Sequence, residues 1–481
     1  MTGASKVDTR KRALAVCLTA AFMTGLDVSI VNVALPSIRS ALGASDDGLQ
    51  WTVSGYALTF GLLLIPAGRL GDARSRRTVF MWGVTLFTLS SAACGLAPSI
   101  HVLIVARLVQ GLAAGMLNPQ VSGLIQQMFQ GYERGRAFGA LGATIGVSTA
   151  AGPLLGGTLV TAFGADHGWR FVFLVNVPIG LVLLPLARKL LPAPQAVRQR
   201  HPSMDPLGVV LLGVGVASLL LPFIQRNQWE GAGKWLLVPG ALVVLAGFVA
   251  WERFYGRDPL VDLALFGKRS YRLGTAIAFF YFSGFTGIFF IFTLYLQSGV
   301  GYSPLLAGLS ITPFALGSAT AAMIGGRLVA RMGRWLVAFG LTTVIVGLAA
   351  TMWATALVPG YGVGLATALP LLVAGVGSGL VISPNQAITL SEVPPEGGGS
   401  AAGVLQTGQR LGSAIGIAAA GSTFFGSLGE GWDTAFRHGL SVVLVSIFIA
   451  LSAATWDLYR TYRSRRSPLP PDRDPRNPTA A

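Results

Sequence analysis

Two charged residues stand where charge is costly. Asp27 lies in the apolar run that begins near Ala13 and ends Leu26-Asp27-Val28-Ser29-Ile30-Val31-Asn32-Val33-Ala34-Leu35-Pro36, and Arg107 lies in another run that begins at His101. In hydrocarbon such side chains are retained chiefly where they face protein or a water-filled path, and they mark ion pathways and proton relays. Asp27 therefore reads as an ion or proton site, the alternative being a structural hydrogen-bond acceptor for a neighbouring helix. Counted inward from Pro36 and from His101 at 1.5 Å per residue, Asp27 and Arg107 lie about 13 and about 9 Å deep, within about one helical turn of each other. A direct contact or a polar bridge between them is expected. Burial favours the neutral carboxyl and a nearby guanidinium favours the carboxylate, so a balanced pair lets Asp27 exchange a proton near working pH. Protonation would then loosen its hold on Arg107 and bias one conformation against another.

The elements that position this pair follow from composition. The chain has 481 residues, 52% hydrophobic and 11% charged, with 63 glycines; a soluble protein carries about 25% charge. Apolar stretches of about 20 residues recur between short polar breaks, the length a helix needs to cross a bilayer. The expected fold is an all-α polytopic membrane protein of fourteen spans, from 13–36 to 436–459, with the sixth near 171–187, the seventh near 207–225, the eighth near 235–252 and the thirteenth near 400–427. The alternating ten-residue pattern of outer-membrane strands is absent. The first run is too long for a signal-peptide core and is read as a retained span. The net charge of +16 invites a nucleic-acid reading, but the basic residues sit in short loops. Cys17 and Cys94 fall inside apolar runs and suggest neither a metal site nor a disulfide framework. The excess of Arg over Lys points to a GC-rich bacterial genome.

Charge also sets orientation. Basic clusters such as Arg10-Lys11-Arg12, Arg74-Arg76-Arg77, Arg188-Lys189 and Arg327-Arg331-Arg334 occupy alternate loops, whereas the opposite loops carry Arg39, Arg170, Arg226, Lys234 and Arg437. The positive-inside rule then puts both termini in the cytoplasm. Gly68-Arg69-Leu70 before Arg76-Arg77 is echoed by Gly326-Arg327-Leu328 before Gly333-Arg334, as a parallel repeat of two halves would give. The expected organisation is a cytoplasmic N-terminus (1–12), a six-helix half (13–190), two extra helices with their loops (191–260), a second six-helix half (261–460) and a disordered basic, Pro-rich tail (461–481).

Five stretches carry a resemblance. They are Leu26-Asp27 through Pro36; Gly68-Arg69-Leu70-Gly71-Asp72-Ala73-Arg74-Ser75-Arg76-Arg77; Arg107-Leu108-Val109-Gln110-Gly111; Gly152-Pro153-Leu154-Leu155-Gly156-Gly157; and Trp169 through Gly180, which includes Asn176 and Pro178. In this order the chain resembles, over nearly its whole length, the fourteen-helix drug:proton antiporter branch of the major facilitator superfamily. The resemblance implies two six-helix halves with two inserted helices. It implies a gating role for Gly68, Asp72, Arg76 and Arg77, and a helix-five face at Gly152, Pro153, Gly156 and Gly157 that packs against the other half and limits proton leak. Ser75 stands where the family usually has Gly, which puts the tightness of that turn in question. On its own chemistry Asp72 can pair with a nearby arginine or cap a neighbouring helix N-terminus. The span-five glycines equally fit close packing with no coupling role.

In the second half Gln406 and Arg410 share one helix face, read as cavity or gate residues or as buried structural hydrogen bonding. Aromatics crowd the span from Phe279 to Tyr295; most must contact lipid or neighbours, with Tyr281, Tyr295 and Gln297 as the candidates to face a substrate. Asn32, Tyr56 and Asn118 complete the candidate cavity. Asp27 is the only carboxylate read as deeply placed, which argues for low proton stoichiometry and against divalent-cation substrates.

The resulting expectation is a proton-coupled exporter of amphipathic organic compounds such as drugs, dyes and antibiotics, in a bacterial cell membrane. It would act as a monomer, with small organic molecules, protons and lipid as partners and no nucleic acid. The proton gradient is the energy source, with no cofactor or metal, and no GxxxxGK[ST] phosphate loop occurs. One alternative is a dedicated exporter of a single endogenous metabolite. A non-transporting membrane sensor on the same fold is another. An enzyme is not expected, because His101, His167, His201 and His438 fall in loops or at span edges.

Overall fold

The computed structural model describes residues 3–193, 205–224, 231–255 and 259–466; most of the tail expected to be disordered, with Arg198, Arg200, Arg226 and Arg257, lies outside them. The described chain is helical. Helices α1 (Gly3–Leu42), α2 (Asp46–Ala73), α3 (Arg76–Gly95), α4 (Ile100–Met128) and α5 (Gly131–Phe163) are followed by α6 (Ala165–Leu174) and α7 (Asn176–Leu190), which meet at Val175. Then come α8 (Pro206–Ile224) and α9 (Leu237–Phe254). The remainder comprises α10 (Arg269–Leu294), α11 (Pro304–Met332), α12 (Arg334–Leu357), the one-turn α13 (Val363–Ala366), α14 (Ala368–Thr389), α15 (Gly398–Gly426) and α16 (Trp432–Arg466).

Local chemistry fixes the helix ends. Ser45, Ser75, Ser99 and Ser303 each cap a helix N-terminus through the side-chain oxygen, satisfying donors that the helix leaves unpaired. At Ser75 the hydroxyl accepts from the Thr78 N–H at 3.3 Å, so this residue starts α3 where a glycine was expected. Prolines occur inside many helices, among them Pro66, Pro119, Pro153, Pro313 and Pro384. Membrane helices tolerate them because neighbours take up the freed backbone groups.

Among the described residues twelve helices are long and apolar enough to cross a membrane, with α6 and α7 together forming one of them. Their outer faces expose Trp82, Leu89, Trp353 and Leu369, the last at 69%, surface that water would not favour and lipid would. Two of the fourteen expected spans are not among these twelve. The stretch near 207–225 is α8, apolar over only Pro206–Pro222. The stretch near 400–427 is α15, long at 29 residues, but Gln406, Gln409, Arg410 and many glycines dilute its hydropathy.

One packing scheme occurs twice. Helix α1 packs on α5, α2 on α4, and α3 on α4 and α7; likewise α10 packs on α15, α11 on α14, and α12 on α14 and α16. The two basic turns correspond in detail. Arg76, opening α3, donates to the Gly123 carbonyl of α4 at 2.9 Å, and Arg334, opening α12, donates to Asn385 Oδ1 of α14 at 2.6 Å. The two groups meet where α5 lies along α11 and α2 along α15, and α8 packs over α2 and α15, burying Leu212, Val216 and Leu220 with Leu58 and Ile65.

Glycine makes the α5–α11 approach possible. A Cβ on Gly326 would lie 2.6 Å from the Gly135 carbonyl oxygen and 2.7 Å from Gly139 Cα. Gly326→Ala is therefore expected to lower stability by about 1–3 kcal/mol, the usual range for overpacking, whereas Gly213→Ala on α8, which meets nothing within 4 Å, serves as the control. Thermal unfolding in detergent checks both; equal midpoints would contradict the packing argument.

Candidate functional site

Five helices converge on Asp27, which is fully buried, and on Arg107, 1% exposed. Arg107 Nη1 donates to Asp27 Oδ2 at 2.6 Å. The other carboxylate oxygen accepts from Gln110 Nε2 at 2.8 Å and from Asn176 Nδ2 at 3.2 Å. Gln110 stands three residues after Arg107 on α4 and so shares its face; its Oε1 accepts from Arg107 at 2.8 Å and its Nε2 also reaches Ser91 Oγ on α3 at 2.7 Å. Arg107 Nε donates to the Thr52 carbonyl of α2 at 3.0 Å, and its guanidinium lies 4.1 Å from the centre of the Tyr56 ring. Around this polar knot Leu26, Ile30, Leu103, Trp169 and Phe173 form a closed apolar shell. Charge-assisted bonds in such surroundings are strong, and a proton on Asp27 removes the charge that holds Arg107. The arrangement can exchange a proton for a contact between α1 and α4.

A second polar cluster ties the two groups together at the α2–α3 turn. Asp72 Oδ1 accepts from Arg76 Nε at 2.9 Å and Nη2 at 2.6 Å, and also from the Gly399 N–H at 3.0 Å. Its Oδ2 accepts from the Ser400 N–H at 2.7 Å. Asp72 thus pairs with an arginine and caps α15 at once, where a helix N-terminus favours negative charge. Arg76 additionally donates to the Pro395 and Glu396 carbonyls, while Arg77 donates to the Arg188 carbonyl at the end of α7. Gly68 packs on the Gly399 backbone with no room for a Cβ. Deeper in, Gln386 and Gln406 both donate to Ser122 Oγ, at 3.0 and 3.2 Å. This end of the bundle is closed between the groups.

The span-five glycines divide by face. Gly135, Gly139, Gly142 and Gly146 lie against α11 and α14, whereas Gly152 and Gly156 lie against Ser29 and Ile30 of α1. Only part of the face expected to meet the other half does so: Pro153 touches Gly308, and Gly157 has Leu305 as its nearest neighbour, at 3.9 Å. Gly152 and Gly156 instead set the seat of α1 just beyond Asp27.

The cavity candidates are dispersed. Tyr281 donates to Ser378 Oγ at 2.7 Å and Tyr295 to Asp433 Oδ1 at 2.5 Å; both are buried in the apolar core of the second group. Gln297 is half-buried in the π-helical turn after α10, Asn32 is exposed and Asn118 is half-buried, with Asn118 donating to the Ala114 carbonyl at 3.0 Å. Arg410 lies with its guanidinium 4.1 Å from the centre of the Phe60 ring. Phe285, Phe289 and Phe314 line a small cavity with Gly142, Gly146 and Ser318. Buried carboxylates also occur outside α1: Asp205 and Glu252 are 1% and 5% exposed, so Asp27 is not alone in being buried. Among the described residues no three metal-ligating side chains gather.

Sequence reasoning assigned no role to Gln110, Asn176, Ser91 or Thr52. Gln110 and Asn176 carried a signal, an amide on the Arg107 face and an amide between Val175 and Val177; the serine and the Thr52 carbonyl carried none.

Comparison with known proteins gives consistent findings. The Major Facilitator Superfamily model matches residues 17–417. A probable actinorhodin transporter of Streptomyces coelicolor is 36% identical over 93% of this chain and 78% of its own. The multidrug resistance protein Stp of Mycobacterium tuberculosis is 36% identical over 83% of this chain and 73% of its own. The cephamycin export protein CmcT of Amycolatopsis lactamdurans is 33% identical over 92% and 91%. Among solved structures, the proton:xylose symporter XylE superposes with a TM-score of 0.66 at 16% identity, covering 94% of this chain and 96% of that one.

Proposed function

Given that the chain belongs to the Major Facilitator Superfamily, we propose that it is a proton-coupled antiporter exporting amphipathic organic compounds, antibiotics and drugs among them. The observation that carries this reading is the buried Asp27–Arg107 pair, flanked by Gln110 and Asn176, at 2.6 Å. A carboxylate so placed can take a proton only by releasing a guanidinium, and a change in that contact shifts α1 against α4. The relatives' names, multidrug resistance and antibiotic export, support the substrate class. Two of them name a single antibiotic, which favours a dedicated exporter as the second reading.

The same proposal assigns fourteen spans, with α8 and α15 crossing alongside the twelve apolar helices. The 29 residues of α15 reach about 43 Å at 1.5 Å per residue, enough to span the membrane. Residues 13–190 and 261–460 form the two halves, 191–260 the insertion, and both termini face the cytoplasm. In that orientation the Asp72–Arg76–Gly399 seam closes the cytoplasmic side. Protonation of Asp27 from outside, loosening of the seam, proton release to the cytoplasm with substrate loading there, and reclosure of the seam with substrate release outside complete the exchange. The energy source is the proton gradient, and the unit is a monomer.

Proteoliposomes test this. An imposed pH gradient should drive rhodamine 6G against its own concentration gradient, and collapse of the pH gradient by a protonophore should stop it. Downhill movement of dye indifferent to the pH gradient would overturn antiport.

A further inference from the structure

Of the two arginines placed deep inside spans, Arg107 and Arg410, only Arg107 has a counter-charge among the described residues. Arg410 is the thirteenth residue of α15, about 18 Å along the helix from its N-terminus at 1.5 Å per residue, where α15 meets Phe60 of α2. Arg107, Arg76 and Arg334 each have a carboxylate partner. Arg410 has neither an ion pair nor a hydrogen bond among the described residues, and its guanidinium rests only on the face of Phe60, 4.1 Å from the ring centre. The Phe60 ring stacks on Tyr56 at 6.1 Å, and Tyr56 supports Arg107 from its own side. Two guanidiniums thus flank one pair of stacked rings, and only Arg107 is neutralised, by Asp27. Further polar atoms beside Arg410 are unsatisfied: the Tyr56 hydroxyl and, on the adjoining turn of α15, Gln406 Oε1 and Thr407 Oγ1 are buried with no partner.

A guanidinium held at mid-helix without a counter-ion is costly. A cation–π contact returns only part of that cost, and a fixed fork of donors suits a carboxylate or another planar oxyanion. We infer that Arg410 is an anion-recognition point between the halves, and that the exported compound carries an acidic group bound there. Building on the export reading above, this assigns amphipathic organic anions as the preferred substrates, with a cationic dye such as rhodamine 6G taken more weakly. Two sources could supply the anion, a solute or an acidic lipid headgroup. Arg410 lies too deep along α15 for a headgroup at the membrane surface, and α8 covers the α2–α15 contact with Leu220 near Gly61, so the solute is favoured.

Equilibrium binding of two dyes of similar skeleton tests the assignment without requiring transport. Purified full-length protein in phosphatidylcholine nanodiscs is titrated with fluorescein, an anion, and rhodamine 6G, a cation, by fluorescence polarisation. Wild type should prefer fluorescein. Arg410→Gln should reduce the fluorescein-to-rhodamine affinity ratio by about tenfold or more, as expected for loss of a charge-assisted contact, and Arg410→Lys should keep most of it. The wild-type preference can be read even if a variant fails to fold. A wild type that binds only rhodamine 6G, or neither dye, overturns the inference, as does an unchanged ratio in Arg410→Gln. Loss of fluorescein binding on adding phosphatidylglycerol to the discs would assign Arg410 to lipid and overturn it too. Arg410-dependent binding together with transport indifferent to the pH gradient would instead sink the antiport reading alone.

Discussion

An Asp72→Asn variant should open the seam at the α2–α3 turn. A cysteine placed at Ser122, a position 1% exposed between Gln386 and Gln406, should then react with a water-soluble maleimide at least about tenfold faster than in the Asp72 background. The native cysteines Cys17 and Cys94 are buried and add little signal. Asp72 accepts four hydrogen bonds with its two oxygens, two from Arg76 and one each from the Gly399 and Ser400 N–H groups. Asparagine offers one acceptor oxygen and turns an NH2 group toward donors. It also removes the negative charge that the α15 N-terminus favours. Hydrogen bonds to charged groups contribute about 1.5–3 kcal/mol each, and about 1.4 kcal/mol is a tenfold change in an equilibrium. Losing even one therefore moves the open–closed balance by tenfold. Equal labelling in the two backgrounds would show that the cluster does not hold the groups together.

The second large effect concerns the buried pair itself. Asp27→Asn leaves the Arg107 charge on the Thr52 carbonyl, Gln110 Oε1 and the Tyr56 ring, with no negative partner. Arg107→Gln leaves a fully buried carboxylate with only Gln110 and Asn176. Removing one member of a buried pair commonly destabilises by about 3–5 kcal/mol, so each single variant should lose that much. The double variant is neutral throughout, and its two amides can bond to each other. It should recover at least half the loss, a coupling that a double-mutant cycle reads directly. Thermal midpoints in detergent measure it, and additive losses would mean that the two groups do not act as a pair.

Much of this was legible in the sequence because the membrane enforces it. A carboxylate and a guanidinium inside apolar runs must find each other or water, and helix geometry put Asp27 and Arg107 within about one helical turn of each other in depth. The basic turns at Arg76 and Arg334 announced the repeated packing scheme, and the chemistry of Asp72 announced its two partners. What was not legible depended on which way a helix face turns. Gly152 and Gly156 share a small-residue pattern with Gly135 and Gly139, yet the former seat α1 and the latter α11, a division that side-chain size cannot encode. Tyr281 and Tyr295 stand out in the sequence as polar members of an aromatic span, but the partners of their hydroxyls, Ser378 and Asp433, lie far along the chain and no local pattern announces them. At α15 glycines and amides that serve helix contacts lower the apolar signal, so that among the described residues twelve helices rather than fourteen are apolar enough to count.

Transport by Asp27→Asn reads the central claim most directly. In proteoliposomes under an imposed pH gradient, wild type should move rhodamine 6G uphill. Asp27→Asn should lose that uphill movement while still exchanging dye across the membrane when no gradient is imposed, because the site remains but the proton has no seat. Uphill efflux by Asp27→Asn at the wild-type rate would contradict the account and reduce the Asp27–Arg107 pair to a structural contact.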